Sequence, residues 1–227
     1  NLVIGTNNRS KIVELVEQLE STERQINAVR DIMKESNFEE MPLFGNESDK
    51  ARAFMKIQEG CNNYCSFCII PYTRGKLKSR KIEDIVEEAK RLVDHGFHEI
   101  VLTGIHLGNY GVELPGRPTL ADVVKALLEI PELYRIRFGS IESVEVSDEL
   151  VELMATDKRV CPNLHLPLQA GSDHVLQLMR RHYTLQEYKD LIAKLRSRIK
   201  DLSITTDIIA GFPQETDEDF EETLNTV

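Results

Sequence analysis

From Ala53 onward, apolar and polar positions fall into a repeating order. Short apolar runs over 53–57, 99–103, 134–138, 163–168 and 202–209 predict strands. Amphipathic stretches over 82–93, 120–128, 148–154 and 185–199 predict helices, with Gly96 as a C-terminal stop for the first and Pro131 just beyond the second. This alternation is the order of parallel βαβ units. Successive right-handed crossovers without a visible reversal predict an α/β fold, a partial (βα) TIM-like barrel rather than a doubly wound sheet. Chemistry in such a barrel lies at the C-terminal ends of the strands.

Before Ala53 the rhythm differs. Residues 1–20 predict a strand end, a turn over 5–8, and a helix carrying Ile12, Val13, Leu15, Val16 and Leu19. Residues 21–50 are polar, with Pro42 and Gly45 as breakers, and predict an irregular linker. Residue 1 is Asn rather than Met, and the chain stops at Val227 inside a helical pattern opened by Thr216 and carried by Phe220 and Leu224. The expectation is a fragment of a longer chain.

The 227 residues include 28 Lys+Arg against 38 Asp+Glu, a net charge of -10. That balance argues against a general nucleic-acid coat, which needs clustered cations. Two acid-free basic runs stand out locally: Arg74, Lys76, Lys78, Arg80 and Lys81, and Lys194, Arg196, Arg198 and Lys200. Each is either a solvated face or a phosphate-contacting patch. No apolar run approaches membrane-span length, and no basic-then-apolar leader opens the chain. The expected setting is the cytoplasm, with no membrane partner.

Three of the four cysteines form the run Gly60-Cys61-Asn62-Asn63-Tyr64-Cys65-Ser66-Phe67-Cys68 directly after the first barrel strand. Three thiolates on one short loop suit three irons of a cubane cluster, leaving the fourth iron open to another ligand. Gly60 permits the tight backbone such a loop needs. The competing readings are a structural zinc site, with Cys161 or a His as fourth ligand, and a chance cluster of inert thiols. Cys161 itself, outside any motif, reads as a small packing residue.

This C-x₃-C-x-aromatic-C pattern resembles the radical S-adenosylmethionine superfamily. The resemblance implies a [4Fe-4S] cluster on Cys61, Cys65 and Cys68. Its open iron takes the amino and carboxylate groups of S-adenosylmethionine, and electron transfer yields a 5′-deoxyadenosyl radical. Further motifs are similar to the methylthiotransferases: Leu102-Thr103-Gly104-Ile105-His106, Ser140-Ile141-Glu142, His165-Leu166-Pro167-Leu168-Gln169-Ala170-Gly171-Ser172, and Asp207-Ile208-Ile209-Ala210-Gly211-Phe212-Pro213. The run 56–74 looks most like the tRNA enzymes that convert N6-threonylcarbamoyladenosine beside the anticodon to its 2-methylthio derivative. Relatives acting on isopentenyladenosine or a ribosomal protein remain alternatives, as does a non-catalytic zinc module.

The resemblance implies cofactor contacts from Phe67, Thr103, Gly104, Ser140, Glu142, Gln169 and Asp207. From the residues alone, Glu142 serves either the cofactor or as a cap of the next helix. Asp207, inside an apolar run, either binds cofactor or makes a buried structural hydrogen bond. His165 is either core or site, and Arg180 and Arg181 are either ligand contacts or a solvated pair. The implied partners are the tRNA anticodon arm and an electron donor such as a flavodoxin, for a monomer. No cysteine precedes Cys61, so residues 1–45 are expected to be the tail of an N-terminal methylthiotransferase domain. A second [4Fe-4S] cluster is expected on the rest of that domain. Residues 46–227 are the expected radical S-adenosylmethionine core, short of the barrel's last part and of an RNA-binding β-barrel. This portion alone is not expected to complete methylthiolation. Gln214 departs from the family pattern, which has Gly there.

Overall fold

A computed structural model of the chain describes residues 1–22, 24–41 and 51–227. Pro42, Gly45 and the expected boundary between 45 and 46 lie outside the described residues. The chain opens with a βαβ unit. Strand β1 (Leu2–Ile4) pairs in parallel with β2 (Ile26–Ala28), and helix α1 (Ile12–Thr22) makes the crossover. The strand β2 and a 3-10 turn at Ile32–Lys34 correct the expectation of an irregular linker from residue 21. Ile26 and Ala28 turn inward on either side of exposed Asn27, too short an alternation to register among polar neighbours.

Next comes β3 (Ala53–Lys56), then a hairpin of β4 (Gln58–Glu59) with β5 (Lys78–Ser79) that encloses the short helix α2 (Ile70–Arg74). The pattern of α3 (Ile82–Asp94), β6 (Glu99–Thr103), α4 (Leu120–Leu128), β7 (Arg135–Phe138) and α5 (Asp148–Thr156) follows. The chain continues through β8 (Asn163–His165), α6 (Asp173–Leu178), α7 (Leu185–Arg198), β9 (Ser203–Thr205) and α8 (Asp217–Leu224).

Five strands run parallel in sequential order. β3, β6 and β7 form one ladder, and β8 pairs with β9. Single bridges at Ile136↔Val160 and Ser140↔His165 join the two ladders. This is the partial α/β barrel that the alternation predicts. Ile100, Val101 and Leu102 of β6 are all buried, as expected for a central parallel strand covered on both faces. Helices α3, α4, α5 and α7 bury Ile85, Ala89, Val123, Leu127, Leu150 and Leu195 in the same core. Burying such a side chain stabilises by about 1.5–3 kcal/mol.

Polar ends set the element bounds. Thr119 with Asp122, Thr184 with Glu187, and Thr216 with Asp219 form reciprocal capping boxes at α4, α7 and α8. Gly96, at φ +89°, ends α3 while Phe97 N donates back to Leu92 O at 3.0 Å. Gln214 takes φ +73°, the region that favours glycine, yet the turn closes with Glu215 N donating to Phe212 O at 2.9 Å. The predicted runs 163–168 and 202–209 pair continuously only over three residues each. Beyond them the chains kink, with Gln169 at φ +69°, and meet again at Gln169↔Ile208.

Candidate active site

The cysteine loop emerges at the C-terminal end of β3, where a barrel places its chemistry. Gly60 makes the turn possible: it has φ +78°, and a Cβ there would lie 1.9 Å from Lys76 O. Cys61 N donates to Gly75 O at 3.1 Å, which ties the loop to the hairpin that encloses it. Ser66 fastens the far side, donating from N to Met179 O (3.1 Å) and from Oγ to Leu178 O (2.8 Å) at the end of α6.

All three loop thiols are free and half-buried, and each of the first two meets a basic group. Cys61 Sγ lies 3.5 Å from His106 Nδ1. His106 is buried, and its Nε2 pairs with the Glu145 carboxylate. Burial opposes protonation of this imidazole, but the hydrogen bonds to Cys61 and Glu145 push its pKa up to about 10. Cys65 Sγ accepts from Arg181 Nη1 at 3.2 Å. Burial holds the Cys65 thiol up, against the lowering effect of Arg181. Arg181, its side chain 3% exposed, also pairs with Glu142, and its Nε donates to Tyr183 Oη at 3.3 Å.

Gln58 joins the first two strand ends. Buried, it donates from Nε2 to Glu59 O and Gly60 O, each at 2.9 Å, and accepts from His106 N at 2.8 Å. A Cβ on Gly104 would meet Gln58 Oε1 at 2.8 Å, so this glycine is required by the glutamine packed on it. Thr103, half-buried at the end of β6, gives its carbonyl to Ile57 N at 2.9 Å.

The other expected site residues line the same strand-end face. Ser140 is exposed and bridges to His165 across β7 and β8. Gln169 sits at the kink beyond β8. His165 Nε2 lies 3.2 Å from Asp207 Oδ2, and its Nδ1 lies 2.9 Å from Thr205 Oγ1. Phe67, 41% exposed, meets Phe212 edge to face at 6.4 Å between ring centres.

Several expectations are corrected here. Asp207 makes no buried hydrogen bond: its side chain is 70% exposed, because it follows the edge strand β9 and is not enclosed by a neighbour. Glu142 does not cap a helix through its side chain, since its carboxylate is taken by Arg181. Arg180 and Arg181 separate: Arg180 is exposed at φ +58°, whereas Arg181 turns inward to Cys65. The basic run after the cluster loop is mostly not a free patch. Arg74 donates to Glu59 Oε1 at 3.1 Å, Lys78 is buried, and Arg80 is buried between Glu40 and Glu88. Only Lys76 and Lys81 of that run are exposed. In the second run, Lys194 and Arg198 pair with Asp148 and Glu152 on α5, as a solvated helix face does.

His106 and Gln58 lie inside quoted motifs but carry no individual signal in sequence, because their partners stand 45 and 48 residues away. Only the fold brings them together.

The donor set is three free thiols on one loop, a ligand type that holds iron–sulfur clusters as well as zinc. Among the described residues, no three or more His, Cys, Asp or Glu side chains close into a one-ion cage. Arg181 supplies positive charge beside Cys65, and His106 a polar partner beside Cys61, which suits an anionic cluster. Cys161 cannot be a fourth ligand to this loop. It precedes β8, at the opposite end of the sheet, and is buried with its N donating to Ile136 O at 2.9 Å.

Comparison with known proteins agrees with this geometry. The family model described as the Radical SAM superfamily matches residues 55–227. The chain is 41% identical to the threonylcarbamoyladenosine tRNA methylthiotransferase MtaB of Bacillus subtilis (strain 168), covering 100% of this chain and 50% of that protein. It is 45% identical to the tRNA-2-methylthio-N(6)-dimethylallyladenosine synthase of Carboxydothermus hydrogenoformans (strain ATCC BAA-161 / DSM 6008 / Z-2901), over 78% of this chain and 40% of that protein. The chain thus spans half or less of the length of these two relatives. Among solved structures, the radical S-adenosylmethionine methyltransferase TsrM of Kitasatospora setae, with cobalamin and a [4Fe-4S] cluster bound, shares the fold. Its TM-score is 0.62 at 16% identity, over 76% of this chain and 33% of that one.

Proposed function

Since the chain belongs to the radical SAM superfamily, we propose that it is the core of a tRNA methylthiotransferase. In this reading Cys61, Cys65 and Cys68 hold a [4Fe-4S] cluster. The bound cluster and S-adenosylmethionine together supply radical chemistry. The chain's own residues hold and aim these groups. Gly60 and Gln58 fix the loop against the hairpin and β6. Arg181 places positive charge at the Cys65 sulfur, and His106 stands against the Cys61 sulfur. Thr103, Gly104, Ser140, Glu142, Gln169 and Asp207 offer carbonyl, hydroxyl, amide and carboxylate groups along the strand ends for S-adenosylmethionine. Phe67, backed by Phe212, gives that face an apolar wall.

The observation that carries this reading is one loop bearing three free thiols at the end of the first barrel strand, with Arg181 donating to Cys65 and His106 beside Cys61. The proposed substrate is N6-threonylcarbamoyladenosine beside the tRNA anticodon, and the product its 2-methylthio derivative. Support comes from the similarity to MtaB along the whole chain. The dimethylallyladenosine enzymes support a second substrate reading at comparable identity. Residues 1–45 belong in this proposal to a methylthiotransferase N-terminal domain and 46–227 to the core. The full reaction also calls for the second cluster, an electron donor and chain outside this sequence. A cytoplasmic monomer is the proposed setting; among the described residues no helix is long and apolar enough to cross a membrane.

Two measurements test the proposal. The reconstituted protein should cleave S-adenosylmethionine under reduction, and no cleavage by an iron-loaded protein counts against it. Mass spectrometry of tRNA from cells lacking the parent gene should show loss of the methylthio group from threonylcarbamoyladenosine. Loss from dimethylallyladenosine instead would move the assignment to the second substrate.

A further inference from the structure

We propose that Arg181 is a positioning residue that sets the reduction potential of the cluster through Cys65, with Glu142 as its counterweight. The inference rests on the assignment of the cluster to Cys61, Cys65 and Cys68.

The geometry around Arg181 is specific. Its side chain is 3% exposed, and Nη1 donates to Cys65 Sγ at 3.2 Å. Nη2 pairs with Glu142, Nε donates to Tyr183 Oη at 3.3 Å, and the guanidinium stands 5.1 Å from the centre of the Tyr183 ring. Tyr183 is itself buried and donates to Leu168 O at 2.8 Å, so the platform under the guanidinium is fixed. The backbone is fixed too: Ser66, next to Cys65, bonds Leu178 O and Met179 O just ahead of Arg181. Cysteine and arginine are thus held to each other by three contacts between the same two segments.

A buried cation donating to a ligand sulfur favours whichever cluster state is more negative. Reduction adds one electron and no proton here, so the reduced state gains more from Arg181 than the oxidised state does. Hydrogen bonds to the sulfurs and local charge are recognised controls of iron–sulfur potentials. Glu142 acts in the opposite sense, because its carboxylate offsets part of the Arg181 charge. The two residues therefore make opposite predictions. A purely structural role would not reverse sign between them.

The test is an anaerobic redox titration of the reconstituted protein without S-adenosylmethionine, followed by the spectrum of the reduced cluster, with iron measured for each variant. Arg181→Gln should make the midpoint more negative by about tenfold in the reduction equilibrium, which is about 59 mV for one electron. Arg181→Lys, which keeps the charge without the fork, should shift less in the same direction. Glu142→Gln should shift the midpoint positive. An iron-loaded Arg181→Gln with the parent midpoint overturns the inference and leaves the cluster assignment standing. Should Arg181→Gln fail to load, Glu142→Gln decides alone: a positive shift supports the inference, and an unchanged or negative one overturns it. A parent protein that holds no iron on the three cysteines overturns both.

Discussion

Replacing Gly60 by alanine separates two demands that this fold makes on glycine. Gly60 and Gly96 both have positive φ, +78° and +89°. An alanine at either pays the left-handed backbone cost of about 1–2 kcal/mol. At Gly96 a Cβ meets nothing within 4 Å, so the cost ends there. At Gly60 it meets Lys76 O at 1.9 Å, Lys76 C at 2.5 Å and Gly75 O at 2.7 Å, all backbone. That backbone has little freedom to yield: Glu59 pairs with Lys78, and Cys61 N holds Gly75 O. Overpacking adds about 1–3 kcal/mol, giving about 2–5 kcal/mol in all for Gly60→Ala. Since each kcal/mol moves Tm by about 2–4 °C in a domain of this size, the two variants should be well separated in thermal unfolding. Iron content after anaerobic reconstitution gives a second readout. Gly96→Ala should keep its iron, whereas Gly60→Ala should lose most of it. Equal stability losses, or full iron in Gly60→Ala, would refute the claim that the hairpin clamps the cluster loop.

Other outcomes follow from the same contacts. Burial raises the Glu59 pKa, but Lys56, Arg9 and Lys78 outweigh it and hold the carboxyl below its ordinary 4.5. Its contribution is therefore complete above about pH 4.5 and lost as pH falls through the lower folded value; the gap in urea midpoint between the parent and Glu59→Gln should close on acidification. A gap independent of pH would contradict that. Arg80→Ala strands buried Glu88 and should cost about 3–5 kcal/mol, read by denaturant unfolding. A Lys76→Ala change should leave stability alone and lower the salt slope of tRNA binding in the full-length parent by at most about one. A larger change for Lys78→Ala in a still-folded protein would contradict the burial of Lys78. Cys161→Ala should keep full iron and lose only about 1 kcal/mol of stability.

The barrel was legible in sequence because its strands are apolar runs and its helices carry long periodic faces. Helix α4 spans the predicted 120–128. Shorter pieces were not. The hairpin of β4 and β5 is built from Gln58, Glu59, Lys78 and Ser79, polar residues that are buried only because partners from elsewhere satisfy them. Helices α2 and α6, of five and six residues, are too short to show a period. Strand β2 hides in a polar stretch for the same reason.

In the site, the cysteine loop announced itself through spacing. The basic run did not announce its fate, since Arg80 is neutralised by Glu40 and Glu88 from separate parts of the chain. Local charge counting sees five cations where the fold leaves two exposed. His106 became visible only when the strand ends converged on Cys61, and Arg181, in sequence either a ligand contact or half of a solvated pair, found its partner Cys65 only there.

Iron analysis of single Cys→Ala variants after anaerobic reconstitution tests the central claim most directly. The parent should bind about four irons per chain with the broad visible absorption of a cubane. Cys61→Ala, Cys65→Ala and Cys68→Ala should each lose that iron, and Cys161→Ala should retain it. A colourless parent with stoichiometric zinc, or iron that departs only with Cys161, would contradict the account.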